Sequence, residues 1–105
     1  MNTQVWYTPK AGAISRLTQR TQPLDELPHN EVRVAVKSIG LNFADIFAIT
    51  GLYSATPQGS FTPGLEYSGE VIESRSAKFK VGDSVMGVTR FGGYSTVINT
   101  QADYL

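Results

Sequence analysis

The apolar residues of this chain fall in short runs that alternate with polar residues, and glycine or proline ends nearly every run. Residues 14–20, 31–41 and 65–74 show the period of two that is typical of β-strands. Residues 4–7 and 94–98 are also predicted to be short strands, and residues 79–88 predict a turn followed by a strand. The apolar side changes between Val36 and Ile39, which predicts a bulge near Lys37 and Ser38. About six short strands with glycine and proline turns predict a mainly β fold, a closed or partly open barrel. No strand–helix–strand unit, from which dinucleotide-binding folds are built, is visible.

Residues 42–50 alone change to a helical period. Asn42 suits the N-cap position, Asp45 places a negative charge in the first turn, and Gly51 suits a C-terminal position with positive φ. One short helix is therefore predicted within the β fold. The residues that fit one face of this helix are Phe43, Ile46, Phe47, Ile49 and Thr50.

Composition excludes several classes of function. The 105 residues correspond to one domain, and nine basic residues balance nine acidic ones, so no positive field for nucleic acid is predicted. The chain has no cysteine and a single histidine, His29, in a turn-like stretch where we expect it to be exposed, so a typical zinc site cannot be built. The first residues resemble neither a signal peptide nor a membrane span, and a cytoplasmic protein is expected.

Six motifs follow one another with defined spacing. They are Gly40-Leu41-Asn42-Phe43-x-Asp45, Gly51-Leu52-Tyr53, Pro63-Gly64-x-Glu66, Gly69-x-Val71, Val81-Gly82-Asp83-x-Val85 and Gly93-Tyr94-Ser95-Thr96-Val97. In this order the chain resembles the N-terminal GroES-like catalytic domain of the medium-chain dehydrogenase/reductase superfamily. Within it, the zinc-independent quinone oxidoreductase branch, with relatives of the vesicle amine transport protein, is most similar. The resemblance implies a partly open β-barrel with one or two short helices.

The resemblance also implies an enzyme of two domains. Residues 1–105 would form a GroES-like catalytic domain fragment, and the Rossmann domain that binds most of NADPH or NADH would be absent from this chain. The parent would reduce quinones or α,β-unsaturated carbonyls as a cytoplasmic homodimer, whereas the isolated chain is expected to be inactive. We also expect an exposed apolar patch where the second domain would dock.

The resemblance indicates which residues would act. Zinc-dependent relatives have a cysteine where Asn42 stands and a histidine where Leu65 stands, so no metal ligand is predicted here. Hydride transfer builds negative charge on the substrate carbonyl oxygen, and without a metal that charge needs hydrogen-bond donors. The Asn42 amide and the Tyr53 hydroxyl can donate, and both are predicted to lie near the nicotinamide. Asn42, Tyr53 and Asp45 are predicted to be catalytic, Asp45 by fixing neighbouring polar groups.

Simpler interpretations of the same residues stay open. Asn42 and Asp45 can serve only as helix caps, Tyr53 can cover the edge of a core, and Glu66 can be a structural acceptor at a strand start. Two further functions are also possible: a non-enzymatic GroES-like binding module, and a relative of zinc-type alcohol dehydrogenases with substituted ligands. Some relatives carry polar groups at the positions of Phe47 and Ile49, so an apolar substrate is favoured here.

Overall fold

The computed structural model describes residues 1–52 and 56–105. Its described strands are β1 (Asn2–Tyr7), β2 (Thr18–Pro23), β3 (Glu31–Gly40), β4 (Glu66–Ser74), β5 (Ser84–Val88) and β6 (Val97–Gln101). They form two antiparallel sheets, one of β1 and β2 and one of four strands in the order β5-β4-β3-β6. Isolated bridges Val5–Ser95 and Thr8–Phe61 connect the first strand to loops that precede β6 and β4. The predicted mainly β fold is confirmed, as two sheets and not as a closed barrel.

The core lies on the four-stranded sheet. Val32 of β3 and Val71 of β4 are fully buried, and Ala102 packs with them at the end of β6. Phe79, Val85 and Leu105 are partly buried against this cluster. Fully burying a valine contributes about 1.5–3 kcal/mol, so the alternation in residues 31–41 and 65–74 specifies which face of the sheet is inside.

Two irregular positions of the large sheet, near Ser38 and at Gly69, agree with the sequence pattern. The register of β3 against β4 shifts between Val36 and Ser38, where the bulge was predicted, and again between Arg33 and Val34. Gly69 in β4 lies so close to β3 that a Cβ atom there would overlap the Ala35 carbonyl oxygen. A close backbone approach is one reason for a glycine inside a strand.

Two predicted strands have other bounds. Residues 14–20 do not form one strand: Ile14–Arg16 is a 3₁₀ turn, and β2 begins at Thr18. The reason is pairing, because β1 aligns Tyr7 with Thr18 and Asn2 with Pro23, so the partner strand must extend to the proline. The last strand runs over Val97–Gln101 and not over 94–98, because β6 pairs with Glu31–Ala35 at the start of β3.

The helix α1 (Phe43–Thr50) is present with Asn42 as the N-cap residue and Gly51, at φ 85°, as the C-cap residue, as predicted. Its buried side, however, carries Asp45, Ala48 and Ile49. Apart from Ile49, the predicted apolar face points outward, and Phe43 is 81% exposed. The inner side packs near the 3₁₀ turn, where the Gly12 N–H donates to the Ile49 carbonyl at 2.8 Å.

The position of His29 and the length of the helices were also predicted from the sequence. His29 lies exposed in a turn, as predicted. None of the helices in the described part of the chain has the length and apolar character needed to cross a bilayer.

Candidate functional site

An open groove of about 480 Å³ lies between the beginning of α1 and the loop that precedes β6. Leu41, Phe43 and Ile46 form its apolar walls, and Asn42 and Tyr94 supply its polar groups. Apolar walls with a few polar groups are typical of small-molecule sites. Of the sequence-predicted residues, Asn42 therefore lies directly in a groove.

Asp45 lies under the first turn of α1 with only 2% of its surface exposed. Its Oδ2 atom accepts the Tyr94 hydroxyl at 2.8 Å and the Asn42 backbone N–H at 3.1 Å. Its Oδ1 atom is buried and has no hydrogen-bond partner among the described residues. Asp45 therefore fixes neighbouring polar groups from below the groove. It does not line the groove itself, so a direct catalytic role for Asp45 stays a prediction.

The helix cap can use only the oxygen of the Asn42 side chain, because the group that this side chain faces is an N–H. Asn42 and Asp45 form a capping box, in which the Asn42 side chain faces the Asp45 backbone N–H without a hydrogen bond of ordinary geometry. That N–H donates instead to the Asn42 backbone carbonyl at 3.0 Å. Asn42 is half-buried. Its amide, with two N–H donors and one acceptor oxygen, can therefore meet a ligand in the groove.

The Tyr94 hydroxyl keeps its proton and donates it in the hydrogen bond to Asp45. Burial raises its pKa well above the usual value of 10.0, and the hydrogen bond to Asp45 and the negative charge of Asp45 raise it further. A phenol with a raised pKa keeps its proton at neutral pH. The Asp45–Tyr94 hydrogen bond therefore persists through the physiological range.

Tyr94 lies where the Pro63-Gly64 motif contacts the Gly93-Tyr94 motif. The Tyr94 N–H donates to the Pro63 carbonyl at 2.9 Å, and the Gly93 N–H donates to the Gly64 carbonyl at 3.0 Å. Gly64 has φ 110°, and a Cβ atom there would lie 2.7 Å from the Tyr94 nitrogen. The Trp6 N–H also bonds the Tyr94 carbonyl at 3.0 Å. The Pro63-Gly64 turn and the Gly93-Tyr94 loop are thus packed backbone to backbone.

The remaining candidates lie elsewhere or outside the described residues. Tyr53 falls outside the described ranges, so its catalytic and cofactor-binding roles stay predictions. Leu65 is partly buried, and its carbonyl accepts the Thr89 N–H at 2.8 Å. Glu66 is the exposed first residue of β4, and its carboxyl group lies over Gly40.

Across residues 1–52 and 56–105, no three histidine, cysteine, aspartate or glutamate side chains are grouped to hold a metal ion. The absence of zinc remains a prediction from the residues at positions 42 and 65.

A second groove, also of about 480 Å³, lies on the face of β3, β4 and β5. Tyr67 lines it, and its hydroxyl is buried without a hydrogen-bond partner of ordinary geometry in the described part of the chain. Burial raises the pKa of Tyr67, and the neighbouring Thr100 hydroxyl opposes part of that rise. None of the described site candidates Asn42, Asp45 and Tyr94 lines this groove, so we assign the candidate site to the groove at α1.

Tyr94 is the site residue that sequence reasoning missed. It was assigned to the start of a strand, whereas the structure places it in a loop with its hydroxyl on Asp45. The available signal was a carboxylate in the first turn of a helix whose other face is apolar. A carboxylate that becomes buried needs donors, but the sequence does not say which segment provides them.

Comparison with known proteins supports a single family. The family described as "Alcohol dehydrogenase GroES-like domain" matches residues 28–105. The Quinone oxidoreductase-like protein 2 of Bos taurus is 44% identical over 77 residues, which are 71% of this chain and 22% of that protein. This chain therefore spans about a fifth of the length of that relative.

Two solved structures are similar over nearly the whole chain. The human synaptic vesicle membrane protein VAT-1 homolog-like protein superposes with a TM-score of 0.92 at 24% identity and covers 99% of this chain and 34% of its own. A mycobacterial protein solved in complex with NADPH superposes with a TM-score of 0.83 at 24% identity, covering 97% and 31%. At this identity, the likeness shows the fold alone.

The family match covers most of the chain, and the fold and the order of the motifs agree with it. The chain therefore belongs to the alcohol dehydrogenase GroES-like domain family.

Proposed function

We propose that this chain is the catalytic-domain part of a zinc-independent, NAD(P)H-dependent reductase of quinones or α,β-unsaturated carbonyls. The observation that carries the proposal is the Asn42 amide, which lies in an apolar groove and whose N–H₂ group is not needed for the helix cap. The relation to a quinone oxidoreductase-like protein supports the same class of substrate.

The groove fits the chemistry of such a reduction. Bound NADPH or NADH supplies a hydride, and negative charge then develops on the substrate carbonyl oxygen. The Asn42 N–H₂ group can donate a hydrogen bond to that oxygen, and a donor fixed before the reaction stabilises developing charge without reorganisation. Leu41, Phe43 and Ile46 place apolar surface beside the amide, and a substrate that covers this surface would exclude water and strengthen the interaction. An apolar, planar substrate suits these walls.

The cofactor assignment is part of the proposal. Asn42 and Tyr53 would lie against the nicotinamide, and a second, Rossmann-type domain would bind the rest of the cofactor. A structure of similar fold was solved with NADPH, which supports this cofactor. The apolar walls of the groove also suit the flat nicotinamide ring. We further propose a cytoplasmic, homodimeric parent protein.

The test is kinetic and uses the longest protein product that contains this chain. NADPH and NADH oxidation is measured with a set of quinones and enones, together with zinc content. We expect turnover without bound zinc by that product and none by residues 1–105 alone. Turnover by the isolated chain, stoichiometric zinc, or no turnover by the longer protein would contradict the proposal.

Asn42→Asp tests the amide directly. The carboxylate has nearly the same shape and still suits an N-cap, but it donates no hydrogen bond. We expect kcat/KM to fall by about 100-fold or more, the loss typical of one oxyanion donor. Asn2→Asp, at an exposed position of β1, is the matched control and should leave kcat/KM unchanged.

A further inference from the structure

We propose that Tyr94 is a positioning residue for this site: through Asp45 it fixes the first turn of α1 and thereby the direction of the Asn42 amide. The proposal rests on the proposed function, since it assigns Asn42 as the group that meets the substrate. It adds a residue from a different segment of the chain to that site.

One carboxylate oxygen joins the two segments. Asp45 Oδ2 accepts the Tyr94 hydroxyl at 2.8 Å and the Asn42 N–H at 3.1 Å, so Asn42 and Tyr94 are connected through a single buried atom. Tyr94 itself is held by backbone hydrogen bonds to Pro63 and Trp6. The beginning of the helix is therefore tied to a loop fixed by two other segments.

The helix needs this attachment. It has eight residues, and isolated helices of that length are not stable in water. On its outer side Phe43 is 81% exposed, and Ile46 and Phe47 are also exposed in part, so this side is incompletely buried within this chain. Its first turn therefore depends on its cap, and the cap carboxylate is oriented by Tyr94. A small displacement of that turn moves Asn42, and catalytic geometry is sensitive to shifts of about 1 Å.

A direct proton-donor role for Tyr94 fits the structure less well. Its hydroxyl hydrogen is already donated to Asp45. Burial and the adjacent carboxylate also raise its pKa, which makes the phenol a weaker acid. The Tyr94 ring lines the groove, whereas its hydroxyl orients the helix.

The experiment uses Tyr94→Phe, which keeps the ring and removes only the hydroxyl. Hydrogen exchange of the Asn42 backbone amide is measured on this chain, and steady-state kinetics on the longer protein. We expect Asn42 exchange to become about tenfold faster, the effect of losing one hydrogen bond to a charged group. We also expect kcat to fall about tenfold while KM changes less than about twofold. Tyr7→Phe is the matched control, because the Tyr7 ring on β1 lies under the Arg20 guanidinium of β2 and Tyr94 is the tyrosine that bonds Asp45.

Combining Tyr94→Phe with Asp45→Ala shows whether the hydroxyl acts through Asp45. If it does, the double variant loses no more activity than Asp45→Ala alone. Unchanged Asn42 exchange and unchanged kcat in Tyr94→Phe would overturn the proposal, as would a loss confined to KM. If Asp45→Ala does not fold, the two tyrosine variants still decide. A longer wild-type protein without turnover would refute the proposed function, and the exchange measurement would still decide whether Tyr94 orders Asn42.

Discussion

The core of the large sheet and the helix α1 distribute their side chains in opposite ways. On β3 and β4, valines are buried, as at Val32 and Val71. On α1, the charged Asp45 is buried and the phenylalanines Phe43 and Phe47 are exposed. The sheet is stabilised by the burial of its apolar face, whereas the helix is held by hydrogen bonds at its ends and by packing of its small inner side.

The buried face of the sheet accounts for stability, whereas the exposed face of α1 is the one that can serve a function. A buried apolar face contributes to folding, whereas an exposed apolar face beside the groove at α1 is available to a ligand or a partner. Leu41, Phe43 and Ile46 are exposed and line one groove; that this surface is the apolar patch on which a second domain docks stays a prediction. Substitutions in the sheet core and in α1 should therefore change the free energy of unfolding by different amounts.

The largest effect is expected where two strands touch. Gly69→Ala should lower the free energy of unfolding by about 3 kcal/mol or more, because the new methyl group overlaps the Ala35 carbonyl and β3 must move. Urea unfolding measures the change. Ser68→Ala, on the neighbouring position of β4, is the control. A loss below about 1 kcal/mol would show that the strands adjust easily.

A matched pair compares the two regions directly. Val32→Ala removes buried methyl groups and should cost about 2 kcal/mol, whereas Phe43→Ala removes a much larger but 81% exposed ring and should cost less than about 0.5 kcal/mol. Both changes are measured by urea unfolding of this chain. Equal losses would mean that the outer face of α1 is packed in solution, and the contrast between the regions would fail.

The buried carboxylate should contribute an intermediate amount. Asp45→Ala leaves the Tyr94 hydroxyl and the Asn42 N–H without their acceptor, and we expect a loss of about 1–2 kcal/mol. Asp103→Ala is the control, because its ion pair with Lys78 joins two side chains that are each more than 60% exposed. Such pairs contribute less than about 1 kcal/mol. A larger loss for Asp103→Ala than for Asp45→Ala would contradict the role of the cap.

The smallest effect concerns alkaline pH. The pKa values of Tyr94 and Tyr67 are raised above 10.0 in the folded chain, mainly by burial. A raised pKa means that the neutral phenol favours the folded state, so this stability is fully present below about pH 10 and is lost as pH rises through the folded pKa values. We expect unfolding midpoints to be level near neutral pH and to fall above about pH 10. Tyr94→Phe should make the fall shallower, and a fall of the same slope in both proteins would exclude a contribution from Tyr94.

Local patterns predicted much of the fold. Alternation of β-branched residues specified β3 and β4 with their bulge, and the Asn42, Asp45 and Gly51 signals specified the ends of α1. These features depend on neighbours in sequence, which a linear pattern contains. The bounds of β2 and β6 depend on partner strands instead. Pairing register is a long-range property, so the predicted bounds were displaced by several residues.

The sequence by itself determined the mainly β architecture, the capped helix, and Asn42 as a candidate group without cysteine or histidine ligands nearby. Tertiary structure alone decided that the helix turns its apolar side outward and that a loop 49 positions away in sequence places Tyr94 on Asp45. The reason is that a helical period records which residues share a face, whereas the direction of that face depends on what the rest of the chain packs against it.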